Sequence, residues 1–236
     1  SRMASKRFPN KPMVKINGIA MIERVWRQAI NSKIGDVYVA CSEKEVFELI
    51  KDIGGNAIMT DPSLPSGTDR VYSGFQKIQD LEELDSIINL QGDMPSLKPS
   101  TISKLNEHLA KGSCDIATLA SGIKDDSENE NKNIVKVITK DDIKNSELSK
   151  AIDFVRDPVS DKKLFVYHHI GIYGFTKNAL NKYINLKRSN LELSRNLEQM
   201  RALENNMKID VLYTDSDPLS VDTEADLEEI KNLMEK

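Results

Sequence analysis

SGTDRVYSGFQKIQDLEELDSIINLQGDMP, residues 66–95, joins a helix to a buried strand and leaves a polar tripeptide at the strand's end. Ser66 to Arg70 is a helix-start signature, and Val71, Phe75 and Ile78 follow at helical spacing. Ile87, Ile88 and Leu90 then predict a short buried strand, with Gln91, Gly92 and Asp93 at its carboxyl end. The same alternation extends toward the N-terminus. Met21, Ile22, Val25, Trp26, Ala29 and Ile30 predict a helix, Val37 to Ala40 a strand, and Val46, Phe47, Ile50 and Ile53 a second helix stopped by Gly54 and Gly55. Asn56 to Met59 is the next strand, and the alternation runs on to about Gly122. Such alternation predicts an α/β fold with a parallel sheet covered on both faces and ligands at the carboxyl ends of the strands.

Beyond Gly122 the pattern changes. Lys124 to Asn133 is an acidic, amide-rich loop, and residues 134–138, 151–155 and 164–167 predict strands with no helices between them, a more antiparallel region. Residues 180–186, 191–206 and 223–234 predict helices, with a strand at 209–213. There is no internal repeat and no low-complexity tail.

At 236 residues the chain suits one domain with a small subdomain. A hydrophobic share of 39% with 30% charged residues excludes a low-hydrophobicity disordered chain. A net charge of −4 argues against a general nucleic-acid binder but leaves room for a local basic site. Cys41 and Cys114 have no metal-ligand spacing and are too few for a disulfide framework, so both are expected to be small buried thiols in a reducing compartment. No apolar run reaches the roughly 20 residues that a bilayer requires and no leader pattern is present, so no membrane insertion and a cytoplasmic location are expected.

Three groups of residues carry candidate chemistry. Arg2, Arg7 and Lys11, in SRMASKRFPNKP at 1–12, combine guanidinium forks with a point charge, which suits a triphosphate or, alternatively, a solvated basic turn. Asp93 at a strand end and Asp222 in Val-Asp-Thr-Glu-Ala-Asp-Leu supply two carboxylates able to share a hard cation; the alternatives are a turn at Asp93 and a capping box from Thr223 and Asp226 beside Asp222. His168, His169, Gly171, Tyr173, Arg156, Glu198 and Gln199 form a dispersed polar set suited to a hydroxylated acid. His168 and His169 alternate faces of a strand, so at most one faces a site, and a lone strand histidine is usually structural. Glu198 and Arg201 fit a solvated helix face equally well. His108 lies in a polar helix without an assigned role.

Taken in order, these segments resemble the CMP-Kdo synthetases, the 3-deoxy-D-manno-octulosonate cytidylyltransferases. The segments are residues 1–12, Ser-Gly-Thr-Asp-Arg at 66–70, Gln-Gly-Asp at 91–93, His-Ile-Gly-Ile-Tyr at 169–173, Leu-Glu-Gln-Met-Arg at 197–201 and Val-Asp-Thr at 221–223. The resemblance implies a Rossmann-like nucleotidyltransferase sheet with a smaller inserted α/β lobe, at about residues 123–206, that makes a homodimer. The nucleotide-binding part would then comprise about 1–122 and 207–236. The implied reaction joins Kdo to the α-phosphorus of CTP, giving CMP-Kdo for lipopolysaccharide biosynthesis and releasing pyrophosphate. Arg2, Arg7 and Lys11 would grip the CTP phosphates, with Ser66 and Gly67 bordering the cytidine. Asp93 and Asp222 would hold Mg2+, and Gln91, Arg156, His169, Tyr173, Glu198 and Gln199 would line the Kdo pocket. Lys11, Arg2, Asp93 and Asp222 are the implied catalytic set.

The sequence departs from that pattern in places. Relatives open with a short apolar strand ahead of the position of Ser1, so the expectation is a chain lacking its first strand, as an incomplete version of a longer product or through lost competence. Leu64 and Pro65 replace a histidine and a polar residue, Met94 a glutamate, Val155 a serine, and Arg195 an acidic residue near the implied sugar site. The Arg195 reversal fits an altered sugar acid, a new ion pair or a changed helix face. The rival readings are a cytidylyltransferase for sialic acid or an amino-Kdo analogue, and a CTP-binding pseudoenzyme acting as an interaction module.

Overall fold

Asn17 and Gly18 both take positive φ, 47° and 81°, which closes the two-residue turn of a hairpin between β1 (Lys15–Ile16) and β2 (Ile19–Ala20). The computed structural model describes residues 8–79, 84–215 and 219–235, which divide into two compact units. The hairpin belongs to the first unit and feeds α1 (Met21–Ser32), which buries Met21, Ile22 and Val25 on one face and ends at left-handed Lys33. β3 (Tyr38–Cys41), α2 (Lys44–Asp52) and β4 (Asn56–Met59) follow. β3 and β4 pair in parallel with Tyr38 opposite Asn56, so the α2 connection is a crossover of the predicted kind. Gly54, at φ 81°, turns the chain out of α2, and a Cβ on Gly55 would lie 2.8 Å from Ile50 Cγ2, so the close return to β4 needs glycine. Ala20, Ile22, Cys41, Val46, Ile50 and Ala57 form one core of this unit.

α3 (Gly67–Phe75) begins where Ser66 Oγ accepts a hydrogen bond from Asp69 N at 3.1 Å. β5 (Ser86–Leu90) carries the chain into the second unit, while Gln91–Gly92–Asp93 and the start of α4 (Pro99–Leu109) belong to the first.

The second unit is built around a six-stranded sheet. Its members after β5 are β6 (Ile116–Gly122), β7 (Lys136–Thr139), β8 (Leu148–Val155), β9 (Phe165–Thr176) and β10 (Ile209–Tyr213), in the spatial order β5-β9-β6-β10-β8-β7. The sheet is mixed: β6 and β10 are parallel, whereas β9 is antiparallel to β6 and β7, and β8 is antiparallel to β7 and β10. Between β6 and β9, whose segment contributes the antiparallel pairs β6–β9, β7–β8 and β7–β9, only the short α5 (Asp126–Glu130) and α6 (Ile143–Ser146) intervene, too short for crossovers. β9 extends from Phe165 to Thr176, well beyond the predicted strand end at Tyr167. It carries β6 along one edge and, at Phe165–His168, β7 along the other.

α7 (Lys177–Asn185) follows β9. The single helix predicted over 191–206 is two, α8 (Asn190–Arg195) and α9 (Gln199–Glu204), broken where Asn196 adopts a left-handed conformation with φ 53°. α10 (Glu224–Met234) returns to the first unit, where Leu227 and Ile230 join Phe8, Ile16, Met21 and Val221 in a second core. No helix among the described residues is long and apolar enough to cross a membrane.

Candidate functional site

In the first unit, Lys11 stands at the start of a 3-10 turn (Lys11–Met13) that follows left-handed Asn10, with Pro12 fixing the next φ. Its Nζ donates to Asp93 Oδ2 at 2.8 Å and to Asp222 Oδ1 at 2.9 Å. Backbone pairing holds the two acidic segments together, since Val221 N donates to the Asp93 carbonyl at 3.0 Å. Asp222 immediately precedes the cap of α10. Thr223 Oγ1 accepts from Asp226 N, and the Asp226 carboxylate accepts from the backbone N–H groups of both Asp222 and Thr223. The capping box therefore fixes the backbone beneath Asp222 and leaves its carboxylate to Lys11. Burial pulls the Lys11 pKa down, but Asp93 and Asp222 outweigh it and the net displacement is upward, so Lys11 is a firmly held cation.

Two carboxylates on one positive charge fit the donor set of a hard, oxygen-preferring divalent ion. The oxygens that bind the Lys11 ammonium are the ones such an ion would take.

The α3 start lies in this unit as well. A Cβ on Gly67 would come within 2.9 Å of Gln91 Nε2, so the Gln91 amide packs directly on the first turn of that helix, beside the Ser66 cap. Met94 is 3% exposed and serves the core, which suits the apolar residue found there. Arg2 and Arg7 lie outside the described residues.

The other five implied sugar contacts fall in the second unit. A register shift between Thr118 and Leu119 of β6 interrupts its ladder with β9. There Thr118 Oγ1 lies 2.9 Å from His169 Nε2 and 2.7 Å from the Ile172 carbonyl. His169 and Tyr173, four residues apart on β9, lie on the same side with ring centroids 5.5 Å apart. His169 also meets the edge of Phe154 at 5.0 Å. Burial, with smaller contributions from His168 and Arg156, lowers the His169 pKa to about 3, so the ring is neutral at physiological pH. Burial, then Glu198, pushes the Tyr173 hydroxyl well above its ordinary range, with Arg156 opposing. Arg156 therefore acts electrostatically on both His169 and Tyr173, and Glu198 on Tyr173.

Arg156 is anchored through Nη1 to the Asn133 carbonyl at 2.9 Å, and fully buried Lys136 donates to the Arg156 carbonyl at 2.8 Å. Gln199 is buried at the first position of α9, next to Glu198, whose carbonyl accepts from Tyr183 Oη at 3.0 Å. A buried ion pair braces this corner. Arg201 donates twice to Glu192, at 2.9 and 2.8 Å, and its guanidinium lies 4.4 Å over the Tyr183 ring. Burial raises the Glu192 pKa, but Arg201 and Arg188 overcome it and the net is downward. His168 faces the other way and pairs with Glu128 at 2.5 Å, so the two histidines do take opposite faces. Arg195 donates to Asp153 Oδ1 at 2.5 Å and to the Phe154 carbonyl at 2.8 Å, so its guanidinium forms an ion pair within the second unit.

Sequence reasoning missed Thr118 and Lys136. A lysine in the apolar run Ile134–Ile138 was the available signal for the second; Thr118, inside an apolar strand, offered none.

The cytidylyltransferase family profile matches residues 1–209. The 3-deoxy-manno-octulosonate cytidylyltransferase of Paramagnetospirillum magneticum is 40% identical over 235 residues, covering 99% of this chain and 95% of that relative. The enzyme of the same name from Parvibaculum lavamentivorans is 41% identical over 231 residues, covering 98% and 89%. Among solved structures, a CMP:2-keto-3-deoxy-manno-octonic acid synthetase complexed with CTP superposes with a TM-score of 0.87 at 30% identity, over 100% of this chain and 95% of that one. A UDP-glucose pyrophosphorylase, at 13% identity and a TM-score of 0.70, shares the fold alone.

Proposed function

The chain belongs to the cytidylyltransferase family, and from that premise we propose that it joins CTP and Kdo into CMP-Kdo, releasing pyrophosphate, in the service of lipopolysaccharide biosynthesis. It is a nucleotidyltransferase. Identity of about 40% over nearly the whole chain to enzymes that carry this name supports the substrate pair. The observation that carries the chemistry is the meeting of Lys11, Asp93 and Asp222, which are 82 and 211 positions apart in sequence, at one charged point.

The anomeric hydroxyl of Kdo attacks the α-phosphorus of CTP; the new P–O bond forms as the bond to the β-phosphate oxygen breaks, and pyrophosphate leaves with the electron pair. Such a transfer needs positioning and charge neutralisation more than covalent help from the protein. Lys11, already charged and held at the acidic pair, turns to the phosphates of bound CTP and balances charge on the leaving group. Arg2 and Arg7 add phosphate contacts on sequence grounds. Asp93 and Asp222 would hold magnesium, which supplies charge neutralisation at the phosphoryl oxygens when bound. Ser66 and Gly67 border the nucleotide, with Gln91 against Gly67.

In the second unit, Arg156 offers a positive charge to the Kdo carboxylate, while neutral His169, Tyr173, Glu198 and Gln199 address its hydroxyls. The proposal includes a homodimer: Leu148 and Ile152 on one face of β8, with Leu164 and Phe165, are exposed apolar residues that a second copy would cover. Light scattering at micromolar concentration tests that component.

Pyrophosphate release with CTP and magnesium, measured with Kdo, with sialic acid and with no sugar, tests the reaction. Release with Kdo alone is expected. Release with sialic acid in preference to Kdo would reassign the sugar, and CTP binding without release under any condition would remove the enzymatic reading.

A further inference from the structure

We infer that His108, Cys114 and Asp210 form a structural site for a borderline-soft divalent cation of the zinc class, apart from the phosphate site. One imidazole nitrogen, the thiol sulfur and one carboxylate oxygen lie within 4.8 Å of one another, all from the second unit. The residues are 6%, 8% and 6% exposed. They come from the last turn of α4, the connection before β6 and the second residue of β10. Gly112, at φ 69°, bends the chain so that Cys114 returns to the end of the helix that carries His108.

The donors already converge. His108 Nε2 is 2.9 Å from Asp210 Oδ2, and Ser113 Oγ reaches the same oxygen at 3.5 Å. Tetrahedral zinc with these ligand types sets donor atoms about 3.3–3.7 Å apart, so the His–Asp pair would open by about 0.5 Å while the thiol sulfur, within 4.8 Å of both, closes on the ion. Ser113 is exposed, leaving a fourth position that its hydroxyl or water can fill.

Charge supports the assignment. With a dication, a thiolate, a carboxylate and a neutral imidazole sum to zero, and no buried charge is left uncompensated. The thiol proton leaves to solvent. Thiolate and imidazole disfavour magnesium, so the proposed magnesium pair does not compete for the same ion.

Position assigns the role. Asp210 pairs with Ala117 near the amino-terminal ends of the parallel strands β10 and β6, opposite the carboxyl ends where ligands of such sheets bind. A cation there ties α4 to both strands and stabilises them.

Cobalt(II) titration of the reduced full-length chain tests the proposal. A thiolate-to-cobalt charge-transfer band should saturate at about one equivalent per chain, with the visible bands of tetrahedral cobalt, and zinc should abolish both. Asp93 and Asp222 contain no sulfur and cannot produce that band. Cys114→Ser and His108→Asn should lose it, whereas Cys41→Ser should keep it, since Cys41 packs against Met59 in the first unit. Zinc should raise the melting temperature of the unmodified chain by several degrees and leave that of Cys114→Ser unchanged. Absence of the charge-transfer band, or its persistence in Cys114→Ser, overturns the site.

Discussion

The acidic pair around Lys11 and the ring cluster around His169 use polar side chains in opposite ways. Lys11, Asp93 and Asp222 are charged, with 13%, 26% and 36% of their side chains exposed, and they sit on chain segments next to strand and helix ends. His169 and Tyr173 lie within a long strand, are 6% exposed, and are held uncharged by burial. A charged cluster at loop ends can exchange partners with little disturbance of packing. A neutral cluster inside a sheet is part of the packing. Substitutions in the first should therefore damage turnover and spare the fold, while those around the second should damage both.

The largest expected effect lies in the first region. Asp93→Asn and Lys11→Ala should each lower kcat by about 10³-fold, the scale of losing one preorganised electrostatic group, with a melting temperature close to that of the parent. Near-normal turnover in either variant would falsify the assignment. Unfolding in both would erase the contrast between the regions.

Next comes Arg201→Leu. Arg201 and Glu192 are 2% and 1% exposed, and removing one partner of a buried pair leaves the other charge undercompensated, at about 3 kcal/mol of stability. Arg188, 2.8 Å from Glu192, keeps the loss near the low end. Denaturant unfolding should show it, together with a raised KM for Kdo, because α8 and α9 position Glu198 and Gln199. Unchanged stability would mean that the second region is less integral to packing than its burial implies.

A third test uses acid. The His169 pKa is about 3 in the folded chain against 6.5 for an ordinary histidine, so the unfolded chain binds the extra proton between those values. Stability contributed by the neutral ring is complete above pH 6.5, falls as pH drops through the window, and levels off near pH 3. Between pH 6.5 and 5 the loss should be about 2 kcal/mol, and His169→Asn should lack that component of the slope. Equal slopes in the two proteins would place the proton elsewhere.

Legibility followed the same division. The charged site was readable because each part had a local signal: Pro12 after Lys11, a polar tripeptide closing an apolar strand, and Asp222 beside a capping box. Their meeting was not readable, because pairing between residues 82 and 211 apart depends on tertiary structure. The sheet of the second unit was only partly legible. Gly171 and Gly174 interrupt the apolar pattern of β9 and hide its continuation to Thr176, and the irregularity opposite Thr118 breaks the period that sequence reasoning relies on. Asn196 ended a helix that the apolar spacing carried through to residue 206, because apolar spacing takes no account of a single left-handed residue. The β1–β2 hairpin could have been found from Asn17-Gly18, a strong two-residue turn signal, but its two-residue strands are too short to show a period.

Arg195 offers the smallest and most discriminating test, because it is a charge at the edge of the neutral region. It reverses the sign expected from the resemblance, yet its guanidinium is committed to Asp153 and to the Phe154 carbonyl, tying α8 to β8. With side chains about one-third exposed, such a pair contributes less than about 1 kcal/mol. Arg195→Ala should therefore shift the melting temperature by no more than a few degrees and leave the preference for Kdo over sialic acid unchanged. A switch in sugar preference, measured as a change in the ratio of kcat/KM values, would show that Arg195 reads the substrate and is more than a tie between α8 and β8.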